Sequence, residues 1–131
     1  MVIEPQKENQ EIALVTGASR GIGRAVAQGL GSKGCFVYLN YQSNEEAAQE
    51  SLEAVRTAGG DGELLPFDVT DEKATNEAIK KIFADKKRLD ILVNNAGIRD
   101  DMLMVWMKKA NWERVLDTNL TGFFKIGRAH V

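Results

Sequence analysis

Between the apolar run Ile12-Ala13-Leu14-Val15 and an amphipathic stretch opening at Gly21 lies the segment Thr16-Gly17-Ala18-Ser19-Arg20-Gly21-Ile22-Gly23. The chemistry such a segment can do is to hold an anion. Glycines let the backbone turn tightly and approach a ligand, while the unbonded N–H groups and the positive dipole end of a following helix face negative charge. At a strand-to-helix junction the expected ligand is the diphosphate of a dinucleotide. The spacing is Gly-x-x-x-Gly-x-Gly rather than the commoner Gly-x-Gly-x-x-Gly, and the alternative is a glycine turn with no ligand.

Other residues extend the same chemistry. Arg20 can meet an adenosine 2′-phosphate, or it is a solvated surface arginine. The end of the second apolar run, Leu39-Asn40-Tyr41-Gln42-Ser43, carries no carboxylate. An acid there is the usual partner of unphosphorylated ribose hydroxyls, so its absence together with Arg20 and Asn40 favours NADP(H) over NAD. Asp68-Val69 can receive an adenine amino group and pack beside the ring, or Asp68 opens a turn for local reasons. Asn94-Asn95-Ala96-Gly97 closes a further apolar run, and small Ala96 and Gly97 would admit a ribose; an Asn-rich turn is the alternative. Asn119 lies in a stretch of helical spacing, where Asn is a poor residue. It is either exposed or holds a water in a proton path. Met102, Met104, Trp106, Met107 and Trp112 read as packing or interface residues rather than a cofactor box. No metal-ligand set is expected.

These residues need elements to position them. Ile12–Val15 is continuous rather than alternating, as in a strand buried on both faces. Ile22, Val26 and Leu30 recur at helical spacing up to Lys33, and Gly34 stands at the C-terminal cap. Cys35 to Tyr41 reads as a second strand. Ser43 and Glu46 have capping-box spacing, Ala48, Leu52 and Val55 form a helical stripe, and Gly59-Gly60 ends it. Glu63 to Phe67 is a third strand, and Asp71 to Lys87 a helix with Ala78, Ile79, Ile82 and Phe83 inward. Leu89 to Val93 is a fourth strand. Asn111 to about Lys125 is expected as a last helix, with Trp112, Val115, Leu116, Leu120 and Phe123 on one face. Strands and helices alternate, which predicts an α/β fold with a doubly wound parallel sheet of Rossmann type in the order 3-2-1-4. The sheet is expected to stop after about four strands, leaving the fourth as an open edge. Residues 1–10 read as a polar leader, 11–125 as a partial dinucleotide-binding domain, and 126–131 as a tail.

Composition narrows the function classes. The 131 residues hold 17 Lys+Arg against 19 Asp+Glu, a net charge of −2, which argues against a basic nucleic-acid-binding face. The sequence has no apolar run long enough to span a bilayer, so no membrane partner is expected. The single cysteine, Cys35, forms no internal disulfide framework and reads as a small buried hydrophobe. A cytoplasmic protein is expected.

Taken in order, Thr16–Gly23, Asp68-Val69, Asn94–Gly97 and Asn119 resemble the motif set of the short-chain dehydrogenase/reductases over roughly residues 11–125. Ile12–Arg24 and Leu89–Met104 look closest to the 3-oxoacyl-[acyl-carrier-protein] reductases within that family. Acetoacetyl-CoA reductases and sugar dehydrogenases look similar in this half, and a nucleotide-binding module without enzymatic activity is a further reading. The resemblance implies that Gly17, Ala18, Ser19, Arg20, Gly21, Ile22 and Gly23 hold the diphosphate and 2′-phosphate, with Asn40 nearby. It implies that Asp68 and Val69 hold adenine, and that Asn95, Ala96 and Gly97 line the ribose and nicotinamide. Asn119 matches the family's catalytic Asn. The implied reaction is NADPH-dependent reduction of a 3-oxoacyl group carried by acyl-carrier protein or CoA, in fatty-acid synthesis, by a homo-oligomeric enzyme.

The resemblance also implies a Ser and a Tyr-x-x-x-Lys downstream of Asn119. The only tyrosines here are Tyr38 and Tyr41, in the second strand, so the fragment is expected to be inactive. Ile126-Gly127-Arg128-Ala129-His130-Val131 departs from the family's helical continuation and matches a translated sequencing adapter. It is expected to be non-native, with the natural gene continuing, which removes His130 as a catalytic candidate.

Overall fold

A computed structural model describes residues 10–97, 115–117 and 123–126. Its elements are β1 (Ile12–Val15), α1 (Gly21–Ser32), β2 (Phe36–Tyr41), α2 (Glu45–Thr57), β3 (Asp61–Pro66), α3 (Glu72–Lys86), β4 (Ile91–Val93), β5 (Val115–Asp117) and β6 (Phe123–Ile126). They build one six-stranded sheet in the order β3-β2-β1-β4-β6-β5. The pairs β3–β2, β2–β1 and β1–β4 are parallel, as the alternation of strands and helices requires.

Why β1 is apolar throughout is visible in what its two faces touch. Ala13 and Val15 pack with Val37, Leu39, Ile91 and Val93 against Ala27 of α1 and Leu52 and Val55 of α2. Ile12 and Leu14 pack on the other side with Tyr38, Leu65 and Leu92 against Ala78, Ile79 and Ile82 of α3. A strand between two helical layers has no solvent face, so alternation disappears.

Helix ends follow local chemistry. Asn44, not Ser43, caps α2 by accepting from the Ala47 N–H at 3.0 Å. Asp71 caps α3 by accepting from Ala74 N–H at 3.1 Å, and Lys87 ends it in the left-handed region. Gly34, at φ +90°, ends α1 with its N–H on the Gly31 carbonyl.

Of the α1 residues at helical spacing, Ile22 is 75% exposed, while Val26 and Leu30 are partly buried and pack on the core beside buried Gly23, Ala27 and Gly31. The helix lies so close to its neighbours that a Cβ on Gly31 would stand 2.7 Å from Val55 Cγ1, and one on Gly60 would stand 2.5 Å from Gly31 Cα. Only small side chains fit this crossing.

The expected helix from Asn111 to about Lys125 is replaced by strands at Val115–Asp117 and Phe123–Ile126. The parallel sheet has the expected four strands, but two antiparallel strands extend it beyond β4, so β4 is not the expected open edge. Phe123, Phe124 and Lys125 pair antiparallel with Val93, Leu92 and Ile91, and β5 pairs antiparallel outside β6. Antiparallel pairing satisfies the backbone groups that β4 would otherwise leave open.

Candidate functional site

In a parallel sheet all strands deliver their carboxyl ends to one edge, and the chain leaving each end can converge there. The segments following β1, β2, β3 and β4 do so. Thr16 is fully buried; its N–H and hydroxyl donate to the Val93 carbonyl at 3.1 and 3.3 Å, and its Oγ1 accepts from Ala96 N–H at 3.1 Å. Asn95 Nδ2 donates to the Gly17 carbonyl at 2.9 Å. The loop after β4 is thereby fastened onto the turn after β1.

Asn40 fastens the other side. It is 2% exposed, so its amide must find partners inside the protein. Oδ1 accepts from Gly17 N–H at 3.2 Å, and Nδ2 donates to the carbonyls of Leu65 and Phe67 at 3.3 and 2.9 Å. Its backbone carbonyl accepts from Ala18 N–H at 2.8 Å. Asn40 thus joins the turn to the end of β3, and the N–H groups of Gly17 and Ala18 are already engaged.

Gly17 and Gly21 both have φ near +60°, where only glycine is unstrained. Gly21 looks into open space, with nothing within 4 Å of where a Cβ would stand. Gly23 is enclosed: its Cβ would lie 2.2 Å from the Gly17 carbonyl oxygen and 2.7 Å from Asn95 Nδ2. The turn is held tightly from behind and open in front.

The N-terminus of α1 differs from those of α2 and α3. Arg20 occupies the cap position in an extended conformation, no side chain caps the first turn, and no acid lies in it. Both other helices have a side-chain cap and first-turn carboxylates, Glu45 and Glu46 in α2 and Glu72 in α3. The α1 dipole is therefore uncompensated by the protein where the open side of the turn lies. Arg20 and Ile22 are exposed on that side, and Ser19 is half-buried.

Asp68 sits beyond β3. Its Oδ1 accepts from the Thr70 N–H at 2.9 Å and the Thr70 hydroxyl at 2.7 Å, and these bonds, the backbone one foremost, hold its carboxyl below the usual range. Oδ2 lies 3.5 Å from Gln42 Nε2, linking the ends of β2 and β3. Val69 is half-buried and packs against the α3-side core. Asn119 lies outside the described residues, as do residues 1–9 and 127–131.

The sequence marks Thr16 only as the first residue of the turn and gives Arg24 no role. Thr16 offers a weak signal, since a hydroxyl ending a buried strand must find a partner. Arg24 offers none, since an arginine in an amphipathic helix is ordinary.

A family profile described as short chain dehydrogenase matches residues 11–131, and the chain belongs to the short-chain dehydrogenase/reductase family. Among curated proteins it is similar to the 3-oxoacyl-[acyl-carrier-protein] reductase FabG of Staphylococcus aureus, with 43% identity over 86% of this chain and 46% of that protein. It is 40% identical to the 3-oxoacyl-[acyl-carrier-protein] reductase of Synechocystis, over 91% of this chain and 48% of that one. The chain thus spans a little under half the length of these relatives. Among solved structures, a metagenomic short-chain oxidoreductase in complex with NADP matches with a TM-score of 0.64 and 39% identity, over 67% of this chain and 39% of that one. A Serratia marcescens short-chain dehydrogenase/reductase variant matches with a TM-score of 0.63 and 38% identity, over 68% and 36% of the two chains. Among the described residues, no helix is long and apolar enough to cross a membrane.

Proposed function

We propose that this chain is the cofactor-binding part of an NADPH-dependent reductase of 3-oxoacyl thioesters, acting in fatty-acid synthesis in the cytoplasm. The observation that carries the cofactor reading is the first turn of α1: an uncapped, acid-free helix start behind a turn that is open at Gly21 and braced at Gly23. A dinucleotide diphosphate supplies the missing negative charge. Ser19, Arg20, Gly21, Ile22 and Gly23 would hold it, because the Gly17 and Ala18 N–H groups already serve Asn40 and leave those two residues to shape the cradle. Asn95, Ala96 and Gly97 would line the ribose and nicotinamide side. Asp68 and Val69 would meet adenine, with Asp68 already oriented by Thr70. NADPH, when bound, supplies a hydride.

The substrate reading rests on the similarity to 3-oxoacyl-[acyl-carrier-protein] reductases. An acyl-carrier-protein-linked or CoA-linked 3-oxoacyl substrate and a homo-oligomeric whole protein follow from the same likeness. The proton for the reduced carbonyl does not come from the two tyrosines present. Burial and the neighbouring Asp85 and Glu63 charges push the fully buried Tyr38 hydroxyl up to about 12. Burial, then Glu45, raises that of Tyr41 as well. A group so reluctant to ionise, and shut in the sheet, is a poor general acid. Among these residues Asn119 is the one catalytic candidate.

Fluorescence titration with NADPH and NADH tests the cofactor reading. The chain is expected to bind NADPH at least about tenfold tighter, since one charge-assisted contact to the 2′-phosphate is typically worth that much. Arg20→Gln is expected to bring the two affinities within about threefold of each other. Equal binding by the unaltered chain would overturn the assignment to NADP.

A further inference from the structure

The guanidinium of Arg24 is the most heavily engaged cation near the turn. Its Nε donates to Ser51 Oγ at 2.9 Å, and its Nη2 lies 2.7 Å from the Ser19 carbonyl, 3.0 Å from the Ala47 carbonyl and 3.3 Å from Glu50 Oε2. Ser51 is fully buried and passes its own hydrogen toward the Ala47 carbonyl at 3.4 Å. Every one of these partners lies on α2 except one, the Ser19 carbonyl, which belongs to the turn. We infer that Arg24 is a positioning residue for the 2′-phosphate: it moors the Ser19–Arg20 peptide to α2 and so fixes the backbone that carries Arg20.

The inference rests on the NADPH reading above and goes one step further. Arg24 touches the peptide that carries Arg20, so releasing it frees that peptide to rotate and swings the Arg20 side chain. The start of the turn has moorings that do not involve Arg24. Gly17 and Ala18 are held by Asn40, and the Gly17 carbonyl by Asn95. Loss of the Arg24 fork therefore displaces one amide of the diphosphate cradle, a cost both nucleotides share, and in addition removes the Arg20 contact to the 2′-phosphate, so it falls more heavily on NADPH. A residue that merely joined two helices would affect both nucleotides alike. The planar fork is what lets one side chain serve Ser51 and three acceptors at once, a task a lysine ammonium performs less completely.

The test uses the 131-residue chain and the variants Arg24→Met, which keeps the aliphatic stem, and Arg24→Lys. Kd is measured for NADPH and NADH, and amide hydrogen exchange is followed without nucleotide. Arg24→Met is expected to weaken NADPH about tenfold and NADH less than about threefold, with Arg24→Lys in between. Exchange at Ser19, Arg20 and Gly21 is expected to accelerate while that of β1 and β2 stays unchanged. An equal loss for both nucleotides, or unchanged exchange at Ser19–Gly21 in Arg24→Met, overturns the role given to Arg24 even if the unaltered chain prefers NADPH. If the unaltered chain shows no preference, the NADPH reading itself falls and takes this inference with it.

Discussion

Gly23→Ala is expected to abolish detectable nucleotide binding and to lower stability by about 3 kcal/mol, the sum of an overpacked contact and a broken hydrogen bond. The added methyl has nowhere to go. It would stand 2.2 Å from the Gly17 carbonyl oxygen and 2.7 Å from Asn95 Nδ2, the two atoms that bond each other at 2.9 Å. Both obstacles belong to the cradle itself, so relief requires pushing the turn away from the loop after β4. Gly29→Ala on the same helix is the control. Nothing lies within 4 Å of its Cβ position, and alanine there should stabilise by a few tenths to about 1 kcal/mol through helix propensity alone. Thermal melts of the two variants, with NADPH titrations beside them, should therefore move in opposite directions. A Gly23→Ala protein that melts and binds like its parent would show that the turn is not braced as described.

Asp90→Ala is expected to cost about 3 kcal/mol, or about 10 °C in melting temperature for a chain of this size. Asp90 is 8% exposed at its side chain and accepts both prongs of Arg88, at 2.8 Å from Nε and 2.7 Å from Nη2. The same carboxylate accepts from Ile12 N–H at 2.8 Å, while Asp90 N–H donates to the Ile12 carbonyl at 2.9 Å. It therefore extends the β1–β4 ladder by one rung at the end remote from the cradle. Alanine leaves that N–H, at a 1% exposed residue, without its acceptor and removes the carboxylate from a largely buried guanidinium. The lower end of the usual 3–5 kcal/mol range applies because Arg88 retains some water contact. Because the site is remote, Kd for NADPH measured well below the melt should change less than about twofold. A melt shifted by under about 3 °C would contradict the account of Asp90 as a buried rung.

How much of this was legible in the sequence differs by element. The order β3-β2-β1-β4 was, because apolar runs and helical stripes alternate and right-handed crossovers leave few other arrangements. The inner face of α1 was legible in part: Val26 and Leu30 at helical spacing pack on the core, but Ile22 does not, and Gly31 is packed because Val55 and Gly60 approach it too closely for a side chain. The stretch containing Val115, Leu116, Phe123 and Phe124 was misassigned. Short apolar clusters satisfy helical and strand periods alike, and long-range pairing with β4 decides between them. Within the site, the glycines of the turn announced themselves by type and spacing. Asn40 was legible as a residue near the cradle but not as a buried strut, because its partners at Leu65 and Phe67 come from another strand's end. Asp68 carries the local bonds to Thr70 that its turn position suggested.

The central claim is that the open front of the α1 turn receives a dinucleotide diphosphate, and amide NMR measures it directly. With the chain labelled in 15N and titrated with NADPH, the largest saturable shifts are expected at Ser19, Arg20, Gly21, Ile22 and Gly23, with smaller ones at Asn95 to Gly97. Saturation with those turn amides unmoved, or shifts gathered instead on the outer face of α3, would contradict it.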